Sequence, residues 1–269
     1  NPPEDSPFPT YATALLVRAI VRTRRGDAAA PHVAWLRDAQ FGEHSGCRAD
    51  DPAYGAWGLD AARRDTTARA DLSATRFALE ALHEAGVGRD DPAFVRATTF
   101  VTACQNTSDG GFFLSTNSPS ANKAGTCGGT EFASYGSATA DGVLTSYAVG
   151  IGCERWATAG ITWLADHPEA TRAPGFARDD DSGWDIGVQY YYGAARSRLR
   201  DRLRAVDEAR AQSGTPRLAR AWEDGFRAML LERQRADGSW ANAVSLMRED
   251  EPLVATVFAL GALVRLPPE

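Results

Sequence analysis

Lysine is almost absent: among 29 basic residues only Lys123 is a lysine. Solvated helix faces accept arginine equally well, so the bias reads as coding preference. Net charge is −6, and no basic stripe runs along any segment. That balance speaks against nucleic acid as a partner. No apolar run reaches the ~18 residues of a membrane span; the longest charge-free helix candidate is 252–264. Four cysteines and four histidines are scattered, with no His–Cys pair at ligand spacing, so neither a metal centre nor a cofactor is expected. No signal peptide is expected within the sequence as it stands. Residues 1–10, rich in proline, read as a linker, which leaves an exported, trimmed form and a cytoplasmic one both open.

What the chain does contain is one structural unit, best written in residues 71–113. Asp71 suits an N-cap and Gly86 the position after a helix end, with only helix-compatible residues between them. Ser73, Arg76, Glu80 and His83 form a narrow polar stripe on a helix that is otherwise apolar or small, so this helix is expected to be buried on two sides. A second helix starts at Pro92 and carries Phe94, Ala97, Val101 and Cys104 on one face. Asp109, Gly110 and Gly111 then force a turn that delivers Phe112 and Phe113.

The unit recurs. Residues 11–22 and 31–40, 136–150 and 154–167, and 186–204 and 216–234 read as further helix pairs, and 251–266 closes the chain. Thr13, Thr75, Thr139 and Thr256 mark equivalent places in the first-type helices, and Gln105 to Phe112 is echoed by Gln234 to Trp240.

On these residues the chain resembles a known family. Gln234-Arg235-Ala236-Asp237-Gly238-Ser239-Trp240 is similar to the Gln-Trp motif of squalene and terpenoid cyclases, and 71–82 is similar to the inner helix of those enzymes and of protein prenyltransferase β subunits. The resemblance spans most of 11–266 and is closest to bacterial prenyltransferase and squalene cyclase repeat proteins. It implies an all-α fold, an α/α toroid or open arc of it, with residues 11–269 as a single domain. It specifies architecture better than reaction. The acid motif of the cyclases is one acid short in Arg178-Asp179-Asp180-Asp181-Ser182, and Gly193 stands where the zinc enzymes place a histidine.

Candidate site residues come from chemistry. Asp181 and Asp185 border an acidic run in which mutual repulsion can raise a pKa, and Asp185 can equally cap the next helix. Asp141, four residues from Ser137 and the only charge between Glu131 and Glu154, is either functional or bonded to a neighbouring helix. No histidine falls on its face to complete a hydrolytic triad. Tyr190, Tyr191 and Tyr192 sweep about 200° of a helix at 100° per residue, more than one packing face hides, so at least one should face the centre. Asp141, Asp181 and Asp185 are the expected catalytic residues. Tyr135, Trp184, Tyr190, Tyr191 and Tyr192 are the expected substrate contacts.

Three functions follow as expectations: a cyclase-like domain that binds an apolar isoprenoid-type ligand and isomerises it by acid catalysis, a glycan-active hydrolase or lyase on the same fold, or a non-catalytic binding module. An apolar cavity favours the first, paired carboxylates beside tryptophan the second, and a filled centre the third. The connections 41–70, 106–135, 168–185 and 235–251 are long and those at the other end are short, so the long-loop rim is expected to be the mouth. A disulfide, if any, is expected between Cys104 and Cys127, with Cys153 a free thiol.

Overall fold

Proline, aspartate and glycine set the helix boundaries. The computed structural model describes residues 6–23, 26–59, 69–127, 131–152, 154–177, 181–212, 214 and 216–267. Among them the helices are α1 (Pro9–Arg22), α2 (Ala30–Asp38), α3 (Leu72–Glu84), α4 (Pro92–Ala103), α5 (Gly136–Ala148), α6 (Arg155–Asp166), α7 (Trp184–Gly187), α8 (Gln189–Ser197), α9 (Arg200–Ala211), α10 (Leu218–Arg233) and α11 (Pro252–Leu263). Proline occupies the first turn of α1, α2, α4 and α11, where its missing N–H has no partner to lose. Asp71 caps α3 by accepting the N–H of Ala74 at 3.0 Å, and Gly86 takes φ +86 just beyond the C-cap, Ala85. Strand is confined to two-residue antiparallel pairs, β1 (Trp57–Gly58) with β2 (Ala70–Asp71) and β3 (Thr126–Cys127) with β4 (Glu131–Phe132). The described chain is mainly α-helical, and no helix in it is long and apolar enough to cross a membrane.

First-type helices meet in chain order: α1 contacts α3, α3 contacts α5, α5 contacts α8 and α8 contacts α11. Second-type helices sit alongside them, α2 against α1 and α3, α4 against α3 and α5, and α6 against α5. Helix α3 is therefore buried around its whole circumference from Leu72 to Leu82, not on two sides only.

The threonine spacing has a structural cause. The backbone N–H groups of Trp57, Phe112 and Trp240 donate to the hydroxyls of Thr75, Thr139 and Thr256 at 3.0, 3.0 and 3.1 Å, which ties each aromatic turn to the helix that follows it. Thr13, first in the series, has a buried hydroxyl with no partner among the described residues. Glutamines do the complementary job. Gln40 donates to the carbonyl of Ala93 in α4 at 2.8 Å, and Gln105 to that of Trp156 in α6 at 2.8 Å. Gln234 differs from the other two: it reaches Gly238, within its own turn, and no second-type helix follows α11 among the described residues. Phe112 lies between α5 and α6 in a slot made by Gly142 and Gly160, where a Cβ would come within 2.3 and 3.0 Å of its ring.

Two boundaries differ from the sequence reading. The single helix expected over 186–204 is broken at Val188 and Leu199, which leave helical geometry at φ −113, ψ 15 and φ −97, ψ 5. It resumes as α9, so most of the expected turn 205–215 is helical. Asp207 holds the real connection by accepting the N–H of Ala219 at 2.6 Å. Pro9 and Thr10, expected in a linker, are buried in the first turn of α1. Cys47, Cys104 and Cys127 are free thiols, so the structure does not contain the Cys104–Cys127 disulfide expected of an exported form. Cys104 is buried at the end of α4 while Cys127 is exposed on β3. Cys153, Asp179 and Asp180 lie outside the described residues.

Candidate functional site

The polar stripe of α3 faces inward. Ser73, Arg76 and Glu80 are all buried, and only His83 reaches solvent. Arg76 pairs with Asp141 of α5 at 3.1 Å and donates to the Tyr191 hydroxyl of α8 at 3.2 Å. Tyr191 in turn donates to the other oxygen of Asp141 at 2.7 Å. Three first-type helices thus meet in one closed triangle. Phe77 and Tyr191 present ring faces to the guanidinium at 4.6 and 5.4 Å, and Phe258 of α11 packs edge-on against Tyr191.

Toward the short-turn end the network continues. Glu80 accepts from Arg198 at 2.7 Å and pairs with Arg18 of α1 at 3.2 Å, and Arg18 also pairs with Glu84 at 2.8 Å. Burial alone would raise the Glu80 pKa, but Arg76, Arg198 and Arg18 hold it below the usual value. Asp141 behaves oppositely. Its burial is deep enough to outweigh Arg76 and the Tyr191 hydrogen bond, so its pKa is pushed up to about 6. Toward the long-loop end, Tyr11 and Ser73 share a hydrogen bond and Ser73 donates to Asp71 at 2.7 Å.

Tyr190, Tyr191 and Tyr192 are all buried and point three ways. Tyr190 joins the cluster of Trp222, Phe226 and Trp240. Tyr192 accepts from Arg196 at 3.0 Å, and Tyr191 alone faces the centre. Their helix is held from outside: Glu249, fully buried, accepts the backbone N–H groups of Tyr190 and Tyr191 at 3.0 and 2.7 Å. No cation pairs with it among the described residues, and burial pushes its pKa up to about 7. Glu249 therefore does the capping expected of Asp185. Asp185 accepts the N–H of Ile186 and pairs with Arg172 at 2.9 Å. Asp181 is exposed and apart from the buried triangle. Where the zinc enzymes of the resembled family carry histidine, a Cβ on Gly193 would lie 1.8 Å from the Phe226 ring.

At the long-loop end, Tyr135 is the residue before α5 and Trp184 opens α7, with the ammonium of Lys123 4.6 Å above the Trp184 ring. Two surface concavities flank the helices. One, about 440 Å³, is lined by Asp109, Cys127, Ser134, Trp163 and His167; the other, about 550 Å³, by Val21, Val33, Arg37 and residues 84–88. None of the site residues expected from sequence lines either. No group of three metal-ligating side chains occurs among the described residues.

Arg76, Glu80, Arg198 and Glu249 were not among the expected site residues. Arg76 and Glu80 carried a signal, four apart on a stripe too narrow for a solvent face. Arg198 and Glu249 carried none, since only the fold brings them in. No protein-family model matches the chain, and no curated protein matches its sequence.

Proposed function

We propose that the chain is an arc of α/α-toroid hairpins of the kind it resembles, and that it works as a small-molecule binding module at its long-loop rim. One observation carries this reading: the space between α3, α5 and α8 is filled by Arg76, Asp141 and Tyr191, bonded to one another and each at most 5% exposed. A cyclase needs that space empty for its substrate. Tyr135, Trp184 and Lys123 are the side chains the rim offers instead.

A second reading has its own support. Asp141, with its pKa near 6 and a tyrosine hydrogen bond, has the properties of an acid catalyst for isomerising an apolar isoprenoid-type ligand. The glycan-active alternative needs a second free carboxylate opposite it. The carboxylates whose charge reaches Asp141 are engaged, Asp71 by Ser73, Ala74 and Arg69, and Glu80 by Arg18 and Arg198.

Native mass spectrometry of the purified protein, followed by hydrogen exchange with and without whatever small molecule it carries, tests the choice. The binding-module reading expects protection over 117–135 and 181–190. Protection centred on 76–80 and 141–145, together with product formation that Asp141→Asn abolishes, would replace it with the acid-catalyst reading.

A further inference from the structure

Helix α11 presents an apolar stripe to solvent. Helices α3, α5 and α8 each lie between two first-type helices, whereas α11 ends the series and packs on α8. Its packed face carries Ala255, Ala259 and Ala262, all fully buried. On the other side Leu253, Val257, Leu260 and Val264 are 79, 59, 48 and 78% exposed. At 100° per residue these four fall within about 60° of one another, nearly opposite the alanines. No charged residue lies within the helix. Successive steps of four, three and four residues are the seam of a coiled coil, whose knobs fill holes on a facing helix. The stripe exposes on the order of 500 Å² in one strip, a patch size that is often an interaction site.

We propose that a second copy of this chain docks on the stripe, α11 against α11 about a two-fold axis, with the two helices antiparallel. Charge selects this arrangement. Exposed Asp250 and Glu251 precede the helix and outnumber Arg248, which pairs with Glu251 at 3.6 Å, while exposed Arg265 follows it. Antiparallel pairing centred between Phe258 and Ala259 brings Arg265 of each copy to the acidic end of the other. It also sets Leu253 against Val264 and Val257 against Leu260, a larger side chain against a smaller one at every level. Parallel pairing would set like charges together. So would extending the series onto α1 of the next copy, where Leu15 and Leu16 are also exposed, because Arg22 would then lie beside Arg265. A two-fold contact closes at two chains and here buries about 1,000 Å², the lower limit for a specific interface. Helices α3, α5 and α11 all start at the long-loop end, so the two rims point in opposite directions and both stay open.

Sedimentation velocity of the full chain from about 1 to 300 μM tests the proposal, and a monomer–dimer equilibrium with a dissociation constant of roughly 1 to 100 μM is expected for a contact of this size. Val257→Asp and Leu260→Gln each change an exposed side chain, so the unfolding temperature should hold. Val257→Asp should weaken the dimer at least about thirtyfold, the loss typical of a central contact residue, and Leu260→Gln less. Cysteine pairing reads the direction. In a chain carrying Cys127→Ser and Cys153→Ser, an equimolar mixture of the Leu253→Cys and Val264→Cys variants should oxidise to a mixed disulfide dimer, and neither variant should do so alone. A chain that stays monomeric at the top of the concentration range, or a dimer that both Val257→Asp and Leu260→Gln leave intact, would overturn the docking face. Disulfide dimers of Leu253→Cys alone would overturn the antiparallel pairing. A monomer that floats with phosphatidylcholine vesicles, and ceases to with Val257→Asp, would assign the stripe to a lipid surface instead.

Discussion

Tyr191 donates its hydroxyl hydrogen to Asp141 at 2.7 Å, across the interface between α8 and α5. Glu249 holds the same tyrosine by its backbone N–H, also at 2.7 Å. One residue thus links two buried carboxylates whose pKa values are both raised toward neutrality. Tyr191→Phe keeps the ring and its packing on Phe258 but leaves an oxygen of Asp141 without its donor. A loss of about 1 to 3 kcal/mol is expected in urea unfolding, with unchanged secondary structure.

Arg76 neutralises the centre, and its removal is predicted to cost more than that of any partner hydrogen bond. Arg76→Met should destabilise by roughly 3 to 5 kcal/mol, because Asp141 would be left buried without its cation while Glu80 keeps Arg18 and Arg198. Adding Asp141→Asn should recover part of the loss. If the double variant is no more stable than the single one, the pairing is not what Arg76 contributes.

The raised carboxylates fix the sign of a pH dependence. Asp141 rises from an ordinary 3.8 to about 6 in the folded chain, and Glu249 from 4.5 to about 7. Each folded pKa lies above its unfolded one, so their stabilisation is complete below about pH 4 and is lost as pH climbs through 6 and 7. Glu80 works the other way, and its contribution is lost only as pH falls below the unfolded value of 4.5. The melting temperature should therefore rise from pH 8 to about pH 5 and fall below it. Glu249→Gln should flatten the upper limb. A melting temperature that instead rises steadily from pH 5 to 8 would contradict these assignments.

Trp240 is 2% exposed, and its indole N–H donates to the Leu230 carbonyl at 2.7 Å. Trp240→Ala should cost about 3 to 5 kcal/mol. Gln234→Ala, at an exposed turn, should stay within about 0.5 kcal/mol. Chemical unfolding of the pair separates the two halves of the motif.

Most helices, their order and the aromatic turns were legible because each is local: a cap, a period, an Asp-Gly turn; the breaks at Val188 and Leu199 carried no such signal. Thr75, Thr139 and Thr256 showed as a spacing before their hydrogen bonds explained it. Asp141 and Tyr191, singled out by isolation of charge and by helix angle, lie together in the buried triangle. Arg198 and Glu249 were not singled out, since they reach Glu80 and α8 only through tertiary contacts. Asp181 is exposed, and an acidic run does not by itself reveal which of its members is buried.

The central claim is that side chains, not a ligand chamber, fill the space between α3, α5 and α8. Calorimetric titration with a C15 isoprenoid alcohol, in wild type and in Tyr191→Ala, tests it most directly. The expected result is no saturable binding to wild type and, in the variant, binding only if the opened cavity admits the chain. One-to-one saturable binding to wild type that protects 76–80 and 141–145 from hydrogen exchange would contradict the claim.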